Sequence, residues 1–575
     1  MRRSVLAGLV AVALLAASAL AQPRIEVVEV GFNGRFFPGA LTPIVISLSH
    51  RGTAHVFDLE VSQEVREITE RSFIERVKVP VNLGPGTQKN ISFDFFMRSV
   101  STPLQIKLFA GDREIARTEI DVRERWSETP LVLGLAVEQF PSLELIEPER
   151  LPRRWTSYDG VGQIIWGRLD PARLTAEQRT ALLSWLLQGG ELVILSGENW
   201  YEQFGTGSLP EDEPTTAHGF WSHLLPIMNG RVERRESDGR EVLSVAGDLR
   251  AGSRIVLSDR GRPVVWERPV GHGKVLLVAL STLPKELELF EIPQSERGAE
   301  GDALIIKALG ALTVPFPSRE LMSFLLIFFI IGFGLSGVLV ARLKRLPVWI
   351  ALAALVLSLV LFGYGHSPAF SSEKYSLDIG VVQGWQGEPF AWEQSWYGVF
   401  SRRAREIVLG VSGDSVRVVK PAFSTAGNVW TELTPAGEKY LHFHSQRESV
   451  RFFHAQRMRE SFVRFSLDAF AGRVRVINQA SVPLRDAVVH LGDDFYRLGT
   501  ITARAEVARS LGELTRMSKS AWLDSLSEMR RMLWHQWGNS SGTPKLIGWL
   551  EESSLWAQTE SEARITLRLV IVEGG

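Results

Sequence analysis

The sequence contains no cysteine. That absence excludes disulfides, cysteine-ligated zinc, iron–sulfur clusters, lipid attachment through a thiol, and any thiolate nucleophile. It also lacks an excess of either charge: 64 Lys and Arg against 65 Asp and Glu leave a formal net charge of −1. No global positive field is available to recruit a polyanion, so nucleic acid is not expected among the partners. What is present is length and apolar content. The 575 residues correspond to about four domains, and the 45% apolar fraction conceals two local concentrations.

The first concentration is N-terminal. Arg2 and Arg3 precede an apolar run from Val5 to Ala16 and the small-residue pattern Ala19-Leu20-Ala21. This is the three-part layout of a secretory signal peptide over residues 1–21, with cleavage expected before Gln22 and an uncleaved anchor helix as the alternative. The second is a pair of charge-free runs, Leu321 to Val340 and Pro347 to Tyr364. As helices they would extend about 30 Å and about 27 Å, enough to cross a bilayer core. The intervening turn, 341–346, carries Arg342, Lys344 and Arg345, so the positive-inside rule places it in the cytoplasm and both flanking regions outside. Gly332 and Ser336 stand in small-xxx-small register, suited to close helix packing. Neither run contains an ionisable residue that could serve a transport pathway. The expected localisation is therefore the bacterial inner membrane, with two passes and the bilayer itself as a partner.

Between the two concentrations the pattern changes once. Over 22–125, short β-rich runs recur between turn signals, and several alternate with period two, as in Ile91, Phe93 and Phe95. Seven strands in that length suggest an immunoglobulin-like β-sandwich without its disulfide. Over 130–315, strands alternate with helices. Leu131 to Val137, Gln163 to Trp166 and Glu191 to Leu195 read as buried parallel strands. Thr175 and Gln178 form a capping box opening a helix that stops at Gly189-Gly190. The expectation is an α/β parallel-sheet domain. The region 366–575 reads as external and β-sandwich-like, with a helix at about 518–536 carrying Trp522, Leu526, Met529 and Leu533 at helical spacing.

The stretch DGVGQIIWGRLDPARLTAEQRTALLSWLLQGGELVILSG resembles the class I glutamine-amidotransferase-like domain of a family of bacterial envelope membrane proteins. The hairpin RPVVWERPVGHGKVLLVALS, the run PFPSRELMSFLLIFFIIGFGLSG and the segment GRVRVINQASVPLRDAVVHLGDDFYRLGTI are similar to further parts of the same family. The resemblance covers the chain from about Ile25 and implies, in order, an immunoglobulin-like region, a flavodoxin-like α/β domain, a transmembrane hairpin and a closing β-rich region.

The same resemblance implies a fold whose chemistry is missing, because an active amidotransferase needs a cysteine on a strand-to-helix elbow. Ser196 stands near where the elbow would fall, but Ile194-Leu195-Ser196-Gly197-Glu198 lacks the G-x-S-x-G frame. His272, the tempting base, sits between glycines in a hairpin turn and reads as turn chemistry. Gly271-His272-Gly273-Lys274 lacks the full phosphate-loop frame. His442 and His444 share a strand face, with His454 nearby in sequence, yet no third ligand stands at a fixed spacing. Arg402, Arg403 and Arg405 are read as a solvated face rather than a lipid contact. Nine of the 17 tryptophans fall in the last region. Trp385, Trp392 and Trp396 are the candidates for an interfacial belt, with core packing as the rival.

No catalytic residue, metal site or cofactor is expected. The functional expectation is a non-catalytic membrane scaffold or interaction protein of the cell envelope, partnered by other envelope proteins. The alternatives are a hydrolase or glycan-binding protein using the α/β cleft, and an accessory subunit of a transporter.

Overall fold

A computed structural model describes residues 23–282 and 374–574, apart from 67–71, 138–142, 205–223, 238–239, 251, 402–404, 412–415, 420–428, 435–437, 446–448, 469–470, 536–543, 552–556 and 559–562. Among the described residues 61% lie in strands and 13% in helices. This corrects the expected multidomain mixture of α and β. No helix among the described residues is long and apolar enough to cross a membrane. The two-pass inner-membrane placement is corrected accordingly. The runs on which it rested, Leu321 to Val340 and Pro347 to Tyr364, lie outside the described residues, as do the signal-peptide segment and the basic turn.

The first region is built from strands Arg24–Val30, Ala40–His50, His55–Arg66, Ser72–Leu83, Thr87–Met97, Leu104–Ala110 and Arg113–Ile120. Alternation makes one face of the central strands apolar, as in Ala40–His50, where Ile44, Ile46 and Leu48 are fully buried. These meet Phe93, Phe95, Val61, Leu104 and Ile106 in one core. The first, second and fifth strands form a three-stranded sheet. The other four do not end their own sheet. Ser72–Leu83 is joined in parallel by Trp430–Leu433, pairing Arg76 with Trp430 and Lys78 with Glu432. The result is an eight-stranded sheet that runs from Arg113–Ile120 at one edge to Ala557–Gln558 at the other.

The middle region carries a seven-stranded sheet ordered Arg254–Asp259, Arg262–Val270, Gly273–Val278, Glu191–Leu195, Val161–Trp166, Leu131–Leu135, Glu144–Leu145. Gly273–Val278 and the four strands that follow it in this order pair in parallel, and the two before it antiparallel. One three-turn helix, Ala176–Leu187, packs on this sheet, opened by the Thr175–Gln178 capping box. The full helical layering expected of an amidotransferase-like domain is not present among the described residues, where the remaining helices here are pieces of about one turn. Gly273 is required where the hairpin crosses the end of that helix, because a Cβ there would lie 2.1 Å from the Leu186 carbonyl oxygen.

The last region is organised by a nine-stranded sheet. Its centre is the run Ser449–Glu460, Phe390–Ser401, Lys374–Trp385, Ala563–Glu573, Lys545–Leu550. A three-stranded sheet of Val463–Asp468, Arg473–Asn478 and Ala505–Ser510 covers part of one face. The expected helix at 518–536 is two short ones, Lys519–Ser525 and Glu528–Leu533. The break falls where Leu526 turns extended and the Ser527 hydroxyl caps the second helix by accepting from the Arg530 N–H.

Candidate functional site

In a parallel sheet the carboxyl ends of the strands are where ligands and catalytic groups usually gather. Here, among the described residues, Gln203 fills that edge beside Ser196. Gln203, in the short helix Trp200–Phe204, donates from Nε2 to the Gly167 carbonyl at 2.6 Å and to the Leu195 carbonyl at 2.9 Å. Its Oε1 accepts from the Ser196 hydroxyl at 3.4 Å, and Ser196 is fully buried. His272 stands at the other end of the sheet. Gly273 begins the strand whose far end, Val278, pairs with Leu195, so Ser196 and His272 are separated by roughly 16 Å of strand. The two residues weighed as a nucleophile and its base are not brought together. The Gly271–Lys274 turn instead packs on the helix end, with the His272 N–H donating to the Leu187 carbonyl.

The three histidines separate as well. His442 lies on the exposed face of the eight-stranded sheet, with Glu406 Oε1 3.3 Å from Nδ1 and Glu432 Oε2 3.1 Å from Nε2. Its ring stacks on Trp430 at 3.7 Å, and the Lys78 ammonium sits 4.8 Å from the same indole. His444 is exposed, opposite Glu406 in the register. His454 belongs to the other sheet, buried and stacked on Trp396. Burial, then the nearby Arg417 charge, pushes its pKa down to about 3. Among the described residues no group of three or more His, Asp and Glu could hold a metal ion. Arg402 and Arg403 lie outside the described residues.

The aromatic candidates are packing residues in this structure. Trp392 and Trp396 are buried, and Trp392 meets Trp155 of the middle region edge to face at 5.5 Å. Trp385 is half-buried, edge-on to His272 at 5.2 Å. His272 Nε2 also lies 3.3 Å from Gln383 Oε1. His272 thus helps dock the last region onto the middle one.

Polar contacts unite all three regions at Asp159. Its Oδ2 accepts from the Leu41 N–H of the first region at 2.9 Å, and its Oδ1 pairs with Arg417 of the last at 2.7 Å. Asp94 of the first region accepts from the Thr156 and Ser157 hydroxyls at 2.5 and 2.6 Å. A second polar cluster lies inside the last region. Arg568 pairs with Glu393 and, at 3.1 Å, with Asp378; Glu393 is also reached by Arg457 at 2.7 Å and by Arg459 at 3.4 Å. Glu393 has no exposed side-chain surface. Gly380 makes room for it, since a Cβ there would lie 3.0 Å from Ser395 Oγ and 3.4 Å from Arg568 Cγ. Sequence reading missed this cluster. The signal was available: Arg568 interrupts the apolar run of ITLRLVIV, and Glu393 stands two residues from Ala391 and Ser395 on a strand whose inward face is otherwise uncharged.

One cavity of about 500 Å³ lies under the tight turn Trp385–Pro389, against the strands Val463–Asp468 and Arg473–Asn478. Sequence reading named Trp385 but did not anticipate the cavity, because its other walls come from strands about eighty residues further along the chain.

Residues 23–123 match the family model of a domain of unknown function, DUF8726. No curated protein matches the chain. Among solved structures, an exo-beta-1,4-mannosidase from Opitutaceae bacterium strain TAV5 is similar at 16% identity and a TM-score of 0.17, over 27% of this chain and 31% of that one. The yeast delta-COP-I mu-homology domain, solved with a Dsl1 WxWxV peptide, is similar at 6% identity and a TM-score of 0.20, over 35% of this chain and 96% of that one. A cytoplasmic protein from Salmonella typhimurium LT2 is similar at 11% identity and a TM-score of 0.17, over 25% of this chain and 71% of that one. The chain spans about a third of the mannosidase, and likenesses this slight bear on neither fold nor function.

Proposed function

We propose that this chain is a non-catalytic interaction protein, a scaffold whose three regions act as one body. The observation that carries this reading is the eight-stranded sheet, half from the first region and half from the last, joined by the Ser72–Leu83 and Trp430–Leu433 pairing. Asp159 supports it by tying the same regions to the middle one. A sheet built across distant parts of a chain holds its outer face in fixed geometry, which suits recognition of another macromolecule more than opening and closing around a substrate. The filling of the carboxyl edge by Gln203 beside Ser196 weighs against the alternative of a hydrolase working from that edge.

Genetic complementation separates the two readings. In cells lacking the protein, Ser196→Ala restores the wild-type phenotype. Trp430→Asp, which sets a carboxylate beside Glu432 and removes the stacked indole at the joint, does not, although the protein still accumulates. Loss of function in Ser196→Ala at an unchanged melting temperature overturns the non-catalytic reading.

A further inference from the structure

We propose that the cavity under the Trp385–Pro389 turn is a binding site for a small acidic saccharide, a sugar chain bearing carboxylates. The volume, about 500 Å³, falls in the range of small-ligand sites. The lip is preformed. The Gln386 N–H donates to the Glu573 carbonyl at 2.7 Å, the Glu388 N–H closes the turn onto the Trp385 carbonyl at 3.1 Å, and the Ser461 N–H holds the Pro389 carbonyl at 2.8 Å. A wall anchored at three points costs a ligand little ordering.

The chemistry of the walls selects the class. Trp385 offers apolar indole surface of the kind against which the C–H face of a sugar ring packs. Gln386 and Ser466 supply an amide and a hydroxyl at the same cavity, and the Ser461 hydroxyl, which donates to the Val463 carbonyl at 3.0 Å, keeps its acceptor lone pair, matching the hydroxyls of a saccharide. Two arginines line it, and they differ. Arg475 is engaged by Glu506 at 2.7 and 3.2 Å. Arg464 has no ion-pair partner among the described residues and is exposed at the cavity wall. With Glu388 also present, the site has one uncommitted cation rather than a cluster. That matches a single carboxylate, taken by the guanidinium as a paired hydrogen bond, better than a phosphate dianion.

Calorimetric titration of the purified full-length protein with a galacturonic acid trisaccharide tests this, with maltotriose and AMP as the neutral and phosphate-bearing counterparts. The acidic trisaccharide is expected to bind at least tenfold more tightly than either. Arg464→Gln, a change at an exposed position, is expected to weaken it at least tenfold, and Trp385→Ala by a similar factor, with Trp385→Phe restoring part of the loss. Absence of binding by the acidic trisaccharide overturns the proposal. So does equal or tighter binding of maltotriose or AMP, or binding that Arg464→Gln leaves unchanged. The site is separate from the joint at Trp430, so failure here leaves the scaffold reading standing, and the complementation result leaves this one standing.

Discussion

The first region and the last bury their strands in opposite ways. In the first, the inward positions at the centres of the strands are apolar: Ile46 and Leu48 on one strand, Phe95 on its neighbour and Ile106 on the facing sheet close one continuous core. In the last, one inward face changes character along the strand. Phe390–Ser401 presents Ala391, then Glu393 and Ser395, then Tyr397 and Val399 to the same side. Tyr397 and Val399 belong to one apolar core, Ala391 to another, and the Arg568 cluster lies between them. The difference teaches that the first region is held mainly by transfer of apolar surface, while the last depends on charges that must satisfy one another. Burial of such a set contributes little net stability, but removing one member leaves another without compensation.

The sharpest way to break this contrast is Glu393→Ala, which leaves Arg568 and Arg457 facing a cavity. We expect a loss of about 3–5 kcal/mol, read as a fall in the urea midpoint. Replacing Arg568, Glu393, Asp378 and Arg457 together by Met, Leu, Leu and Met should instead be neutral or stabilising by about 1–4 kcal/mol. In the first region, Phe95→Ala should cost about 3–5 kcal/mol through its cavity.

Asp159→Asn removes the Arg417 ion pair and weakens the Leu41 contact, for a loss of about 1.5–3 kcal/mol, and should make the junction of the three regions more accessible to limited proteolysis. His454 adds a dependence on pH. Its pKa is depressed on folding, so below the ordinary histidine value of 6.5 the unfolded chain takes up a proton that the folded chain refuses. Stability therefore falls as pH drops from 6.5 toward 3, by about 1.4 kcal/mol per pH unit. His454→Phe keeps a ring on Trp396 and should flatten that slope in denaturant titrations across the same acid range. The smallest effect is at Arg168, whose pair with Glu202 is open to solvent; Arg168→Ala should leave the melting temperature unmoved.

The same contrast explains what was legible. Alternation marked those strands of the first region that have one apolar face, as at Ile91, Phe93 and Phe95. The Thr175–Gln178 capping box located its helix for the same local reason. What pairs with what was not legible. The partnership of Arg76 with Trp430 has no local signature, because Trp430–Leu433 is a four-residue strand whose place is set by the edge it meets. The α/β expectation failed because buried runs such as Leu131 to Val137 show parallel strands without showing how many helices cover them. Ser196 and His272 were weighed as a nucleophile and its base, and strand direction, which neither local motif shows, puts them at opposite ends of one sheet.

The joint between Ser72–Leu83 and Trp430–Leu433 also imposes an order on synthesis. When the first region leaves the ribosome, its Ser72–Leu83 edge has no neighbour on the outer side, and Ile74 on that strand is partly exposed even in the finished sheet. At ordinary elongation rates the strand that completes it follows roughly 20–70 s later. For that interval the nascent chain carries an open template for pairing with another chain. A fragment ending before Trp430 carries the same open edge permanently, so its yield should depend on how well that edge is kept from meeting its own kind.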